Sequence, residues 1–253
     1  MIHYDVTILP SEPRYWVMML GAVIGGYLFV KYFDNLSKEK RDPYLKRLGF
    51  VLLLTASFLP IYTIVNPEHL FSFHRSLPLH FCSLNIWLIG FNCIFRSRKL
   101  FVYTFFMTLI GGFYAVLTPL LTVGDAPFVV VHYIIVHTSL FTVPIVMVRV
   151  YGMRLKYYDW IRGYLFAAAI STVMVLINGC LNMYVENTGD AIANYMFVTV
   201  APAVSNPFLF EDLGWPFYLF PVHLGLLIHM LIINMIYRKR EQNPIVSEPR
   251  LWQ

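Results

Sequence analysis

Apolar residues fall along this chain in seven blocks, at 15–33, 48–65, 77–95, 100–121, 128–150, 161–183 and 215–237. Each is close to the roughly 20 residues that a helix needs to cross a bilayer. Short stretches that concentrate the charge separate them. The turn 122–127 joins the fourth and fifth blocks, and so short a connection makes them antiparallel neighbours. The pattern predicts an all-α fold, a polytopic membrane protein built as a seven-transmembrane helix bundle in a single integral membrane domain over 1–253.

The charges between the blocks give the orientation. Lys31, Lys38, Lys40, Arg41, Lys46 and Arg47 follow the first block, and Arg96, Arg98 and Lys99 the third. Arg149, Arg154, Lys156 and Arg162 follow the fifth, and Arg238, Lys239, Arg240 and Arg250 the seventh. Only Arg14 and Arg75 fall on the other side. Basic residues accumulate on the cytoplasmic side. The expected N-terminus is therefore outside and the C-terminus cytoplasmic. The first block follows Arg14, carries positive charge after it and lacks a small-x-small cleavage pattern, so it reads as an uncleaved span rather than a signal peptide. The longest outer connection, 184–214, has no Lys or Arg and includes the apolar run Tyr195, Met196, Phe197 and Val198. A loop of that length and polarity is expected to fold back as a lid or short re-entrant segment. No internal repeat supports an inverted-repeat transporter.

Composition agrees. Hydrophobic residues make up 58% of the chain and charged ones 13%, too apolar for a soluble surface and suited to lipid as solvent. The net charge of +5 sits in short runs between apolar blocks, a topology signal rather than a nucleic-acid footprint. No nucleic-acid partner is expected, and protein partners stay open.

Polar residues within the blocks cluster in their outer halves: His80, Cys82, Ser83 and Asn85 in the third, His132 and His137 in the fifth, Asn178, Cys180 and Asn182 in the sixth, His223 in the seventh. Ionisable groups inside a membrane normally face the bundle interior or a cavity. These histidines therefore predict one polar pocket facing the extracytoplasmic side. Cys82 is the candidate nucleophile. Ser76 and Pro78 have the form of a helix start, which would put Cys82 in the first two turns, where a helix N-terminus favours a thiolate. His80 lies two residues away and cannot face Cys82 on a regular helix. A base from another helix, His137 first, is expected. His132 lies five residues from His137 and points elsewhere, so one of the two is expected to be structural. Asn85, three after Cys82, could donate to an oxyanion. Against this, Cys82 could be a small buried hydrophobe or pair with Cys180 in a disulfide. Asn178 and Asn182, four apart on one face, could line the pocket or bond a neighbouring helix. Gly111 and Gly112 read as close-packing positions, and Cys93 as inert. Zinc chemistry finds no HxxH, HxxxH or HExxH spacing and no acidic residue inside a block. No metal or other cofactor is expected.

The segment LPLHFCSLNIW (77–87) resembles the signature of the YwaF-type bacterial integral membrane proteins. TLIGGFYAVLTPLL (108–121), HYIIVH (132–137), NYMFV (194–198) and LGWPFY (213–218) extend the resemblance in order. That family is related to animal transmembrane protein 164, described as a phospholipid acyltransferase that uses a cysteine and a histidine. The resemblance implies Cys82, in its His-x-Cys context, as nucleophile and His137 as partner. It also implies membrane phospholipids as substrates and a bacterial cell membrane as location. Ser83 stands where the animal motif has a further histidine. The expected function is transfer of a fatty acyl chain between phospholipid and lysophospholipid through a Cys82 thioester. His80, Asn85, His132, Asn178, Asn182 and His223 would shape the substrate site. The alternative is a non-enzymatic transporter or sensor of a small molecule or lipid.

Overall fold

The computed structural model describes residues 6–66, 71–184, 192–201 and 210–241. Among these, seven long helices alternate in direction: α1 (Pro13–Asp34), α2 (Lys38–Val65), α3 (Phe81–Phe95), α4 (Arg98–Leu117), α5 (Pro127–Arg149), α6 (Asp159–Asn182) and α7 (Leu219–Glu241). Six of the described helices are long and apolar enough to cross a membrane, and α3 is the shorter one. Two two-residue strands, β1 (Val6–Thr7) and β2 (Leu120–Leu121), pair antiparallel.

Three boundaries differ from the sequence pattern for identifiable reasons. Helix α2 begins ten residues before its apolar block, because the basic stretch 38–47 continues the helix. Its 28 residues make about 42 Å, so its first turns extend beyond a hydrocarbon core of about 30 Å. Helix α4 stops at Leu117 rather than 121, because Pro119 has no N–H to offer the Ala115 carbonyl. The chain then turns into β2. The carbonyls at this helix end are satisfied from elsewhere. The Tyr133 hydroxyl donates to Ala115 O at 2.7 Å, the Tyr15 hydroxyl to Leu117 O at 3.0 Å, and the Ile8 N–H to Pro119 O at 3.0 Å. Helix α3 begins at Phe81 rather than 77, with consequences for the site.

Helix α4 is the hub. Phe101, Phe105 and Phe106 are fully buried in it, and Ile89, Leu140 and Val143 of α3 and α5 close around the same core. Glycines set the closest approaches. A methyl at Gly49 would meet the Gly90 carbonyl at 2.7 Å, so α2 and α3 touch backbone to backbone. A methyl at Gly112 would likewise lie 3.2 Å from Phe141 N and 3.4 Å from His137 O, which brings α4 close to α5. The outer faces are apolar and exposed, as in Trp16, Leu20, Val23 and Tyr27 of α1 and Phe220, Leu224 and Ile228 of α7. In lipid these faces need no protein cover.

Polar ties lock the two ends of the bundle. At the basic-rich end, Arg149 pairs with Asp34 at 2.7 Å, and Arg98 with the fully buried Asp159 at 2.6 Å. There too the Asn234 amide donates to Tyr157 O at 3.0 Å. At the opposite end Arg14 bridges Glu12 (2.5 Å) and Asp125 (2.6 Å). The Leu9 N–H and then Arg14 hold the Glu12 carboxyl below its ordinary range, and Arg14 does the same for Asp125.

Candidate active site

The site begins where α3 begins. Residues 71–80 form turns, and His80, in extended backbone geometry, is the N-cap without a side-chain capping bond. The N–H groups of Phe81, Cys82 and Ser83 are the first three of the helix and have no acceptor within it. Cys82 is thus the second helical residue, nearer the helix N-terminus than Ser76 and Pro78 predict. At 15 residues, α3 is about 22 Å long, short of a hydrocarbon core of about 30 Å. The turns of residues 71–80 supply the rest of this stretch of chain before the helix.

Cys82 lines a cavity of about 270 Å³ together with His80, His132, Tyr133 and His137. The lining runs from exposed Arg75 to His137, which is only 7% exposed. The His137 Nδ1 lies 2.8 Å from the Tyr133 carbonyl. A carbonyl only accepts, so Nδ1 carries the proton and Nε2 keeps the lone pair. The His137 ring rests on that of Tyr133 with centroids 3.8 Å apart, and Tyr133 is itself fixed by its bond to Ala115 O. Together with Gly112, which brings α4 against the His137 backbone, these contacts set the position of the imidazole.

The other predicted residues separate into distinct places. His132 lines the cavity but donates from Nε2 to Thr55 O on α2 at 3.0 Å, so of the two α5 histidines it is the one tied to a neighbouring helix. His80 lines the cavity with its ring against Tyr195 and Phe197. Asn85 is fully buried and its amide donates to Phe81 O at 2.8 Å, within its own helix and outside the cavity lining. His223 lies in a second cavity, 3.3 Å from the Ser171 hydroxyl. Cys82, Cys93 and Cys180 are all unbridged, so the Cys82–Cys180 disulfide alternative does not form. Among the described residues no group of three or more His, Cys, Asp or Glu is placed to hold a metal ion.

Asn178 and Asn182 bind the outer loop instead of lining a cavity. Asn178 Oδ1 accepts from Tyr195 N, and its Nδ2 donates to Tyr195 O, each at 3.1 Å. Asn182 repeats the arrangement on Ala193, at 2.7 and 3.0 Å. Two side-chain amides one helical turn apart thus hold two alternate loop residues as a strand partner would. Tyr195, fully buried, donates its hydroxyl to Phe73 O (2.7 Å) and accepts from Leu77 N (3.0 Å). Burial pushes its phenol up to about 12, so it stays protonated and keeps donating. Residues 192–201 of the expected lid are therefore fastened both to α6 and to the segment before α3. They carry Phe197, in left-handed geometry (φ 54), onto the wall of the Cys82 cavity. Residues 185–191 and 202–209 of that loop lie outside the described residues. Asn178→Ala would leave the buried Tyr195 N–H and carbonyl without this partner. At about 1–3 kcal/mol per unpaired buried group, the expected loss is about 2 kcal/mol or more, with faster amide exchange at 193–199. An unchanged unfolding temperature would show that the loop does not depend on this amide.

Tyr133 and Phe81 were not singled out by the sequence pattern, and Phe197 only as part of the apolar run expected to fold back. Tyr133 had a readable signal, since it stands four residues before His137 on one helical face. For Phe197 the apolar run marked a segment that folds back, but not the cavity it reaches.

The fold and site define an all-helical integral membrane protein with a cysteine and histidines gathered in one cavity inside the bundle. The chain belongs to the TMEM164 family, whose model matches residues 10–234. No curated protein and no solved structure matches it.

Proposed function

We propose that the protein is a membrane acyltransferase that moves a fatty acyl chain from a phospholipid to a lysophospholipid or similar acceptor hydroxyl through a thioester on Cys82. All seven helices would cross the bilayer, with the N-terminus outside, the C-terminus cytoplasmic and the cavity served from the outer leaflet. The observation that carries the reading is the shared cavity. Cys82, in the first turn of α3, and His137, with its Nε2 lone pair available, line the same space.

In the first half-reaction His137 Nε2 takes the thiol proton as Cys82 Sγ attacks the ester carbonyl. The ester C–O bond breaks, the proton passes from His137 to the departing glycerol oxygen, and a lysophospholipid leaves. In the second, His137 takes the proton of the acceptor hydroxyl, the oxygen attacks the thioester carbonyl, and the thiolate leaves and is reprotonated by His137. Backbone N–H groups at the start of α3 suit the oxyanion, as they are unsatisfied within the helix and backed by its dipole. Exposed Arg75, on the same cavity lining, offers a planar donor set of the kind that matches a lipid phosphate. The donor ester supplies the activation, so the scheme needs no cofactor.

The test uses purified protein in liposomes holding an acyl-labelled phospholipid and an unlabelled lysophospholipid, with acid quenching and mass spectrometry. Label should appear in the acceptor, and a peptide containing Cys82 should carry the acyl mass. Well-folded protein that shows neither across several lipid pairs would overturn the reading in favour of transport or sensing.

A further inference from the structure

A second cavity, of about 260 Å³, lies between α4, α6 and α7 beside the first. We propose that it is the binding site for the fatty acyl chain whose carbonyl reacts at Cys82, and that Phe81 guards the passage between the two. The inference rests on the acyltransfer reading and extends it to the lipid tail.

The two cavities share three walls, Phe81, Tyr114 and Phe197. Phe81 directly precedes Cys82 in the first turn of α3, so a chain attached at Cys82 Sγ starts beside this shared wall. Both cavities are lined mainly by apolar side chains, but the first also carries three histidines, Arg75, Ser76, Thr118 and Thr122, groups that suit the ester and headgroup end of a lipid rather than its tail. The second cavity is lined by Met107, Ile110, Ala167, Ile170, Val222 and Leu226.

Its polar side chains already have partners: the Tyr218 hydroxyl donates to Phe197 O at 2.6 Å, the Tyr103 hydroxyl meets Asn85, and the other four pair with one another. The Tyr114 hydroxyl lies 3.1 Å from His229 Nε2, while His229 Nδ1 donates to Gly225 O at 2.7 Å. His229 Nε2 is therefore the acceptor of the Tyr114 hydroxyl. Ser171 and His223 form the other pair. What remains is an apolar space, whose natural filling inside a membrane is hydrocarbon.

Gly111 explains how the passage is held. The Phe81 ring packs so closely on Gly111 that any side chain there would overlap it. A glycine at this position seats the ring, and a larger residue would drive it off its seat toward one cavity or the other.

The experiment has two arms on the full-length protein in liposomes. The first compares transfer of acyl chains of about 6 to 18 carbons by wild type and Ala167→Leu, with Ile170→Phe as the second cavity-filling variant. Long chains should lose about tenfold or more, the worth of roughly two buried methylenes, while short chains stay near wild type. The second arm photolyses a phospholipid whose acyl chain ends in a diazirine and maps the adducts. They should fall on Met107, Ile170 or Leu226. Adducts confined to the lipid-facing Phe220, Leu224 and Ile228, or an unchanged chain-length profile, would overturn the proposal. The arms separate the two readings. Adducts inside the cavity without transfer would sink the enzyme and keep the acyl site. Transfer through Cys82 with an unchanged profile would do the reverse.

Discussion

Cys82→Ala is expected to abolish acyl transfer and acyl-enzyme formation together, and Cys82→Ser to retain about a thousandth of the rate or less. The alanine variant removes the sulfur on which the thioester would form. The serine variant keeps the size and the helix position but substitutes a hydroxyl, far less acidic than a thiol, at the same place. Neither change should unfold the protein. Cys82 is only partly enclosed, and its loss removes one sulfur from the edge of a cavity rather than from the packed core. Cys180, exposed on α6, is the internal control, and Cys180→Ala should leave transfer unchanged. The measurement is the initial rate of label transfer beside the unfolding temperature of each variant. If Cys82→Ala kept a substantial share of wild-type activity, Cys82 would be a packing residue and the chemistry would lie elsewhere.

Hydropathy and charge made the bundle legible, because a bilayer imposes element length directly and the basic residues mark one end. The start of α3 was not legible in the same way. Ser76 followed by Pro78 has the form of a helix start, yet the Ser76 hydroxyl accepts from Ser72 N behind it at 2.9 Å, and Leu79 N bonds back to Leu77 O. The serine closes a turn instead of opening the helix, and the helix waits until His80. The sequence placed each polar residue along its span, but it carried no azimuth. His80, Cys82, His132 and His137 share a cavity, whereas His223 faces another. Asn178 and Asn182 stand on one face as the four-residue spacing requires. Their partner is a loop, and only the tertiary path of that loop decides whether the amides meet backbone or ligand.

The division of labour between the two histidines of α5 is a consequence of hydrogen bonding that the spacing alone could not assign. His132 spends its Nε2 proton on Thr55 O and fastens α5 to α2. His137 donates within its own helix and keeps Nε2 for the cavity. Loss of His137 should therefore fall on chemistry, and loss of His132 on packing.

His137→Ala is expected to lower transfer by about 10²- to 10⁴-fold, the usual worth of a positioned general base. Both half-reactions need the same imidazole, first to receive the thiol proton and then that of the acceptor, so both acylation of Cys82 and its discharge should slow. His132→Ala should affect stability more than rate. Combining His137→Ala with Cys82→Ala should be no worse than Cys82→Ala alone, because a base has nothing to activate once the nucleophile is gone. Tyr133→Phe probes the support of the imidazole. It keeps the ring against His137 but leaves Ala115 O, which Pro119 cannot serve, without its donor, so a smaller loss in rate is expected together with lower stability. Single-turnover acylation and multiple-turnover transfer, measured separately, check this order. A His137→Ala enzyme that acylated Cys82 at the wild-type rate would remove His137 from the first step and require another proton acceptor for the thiol.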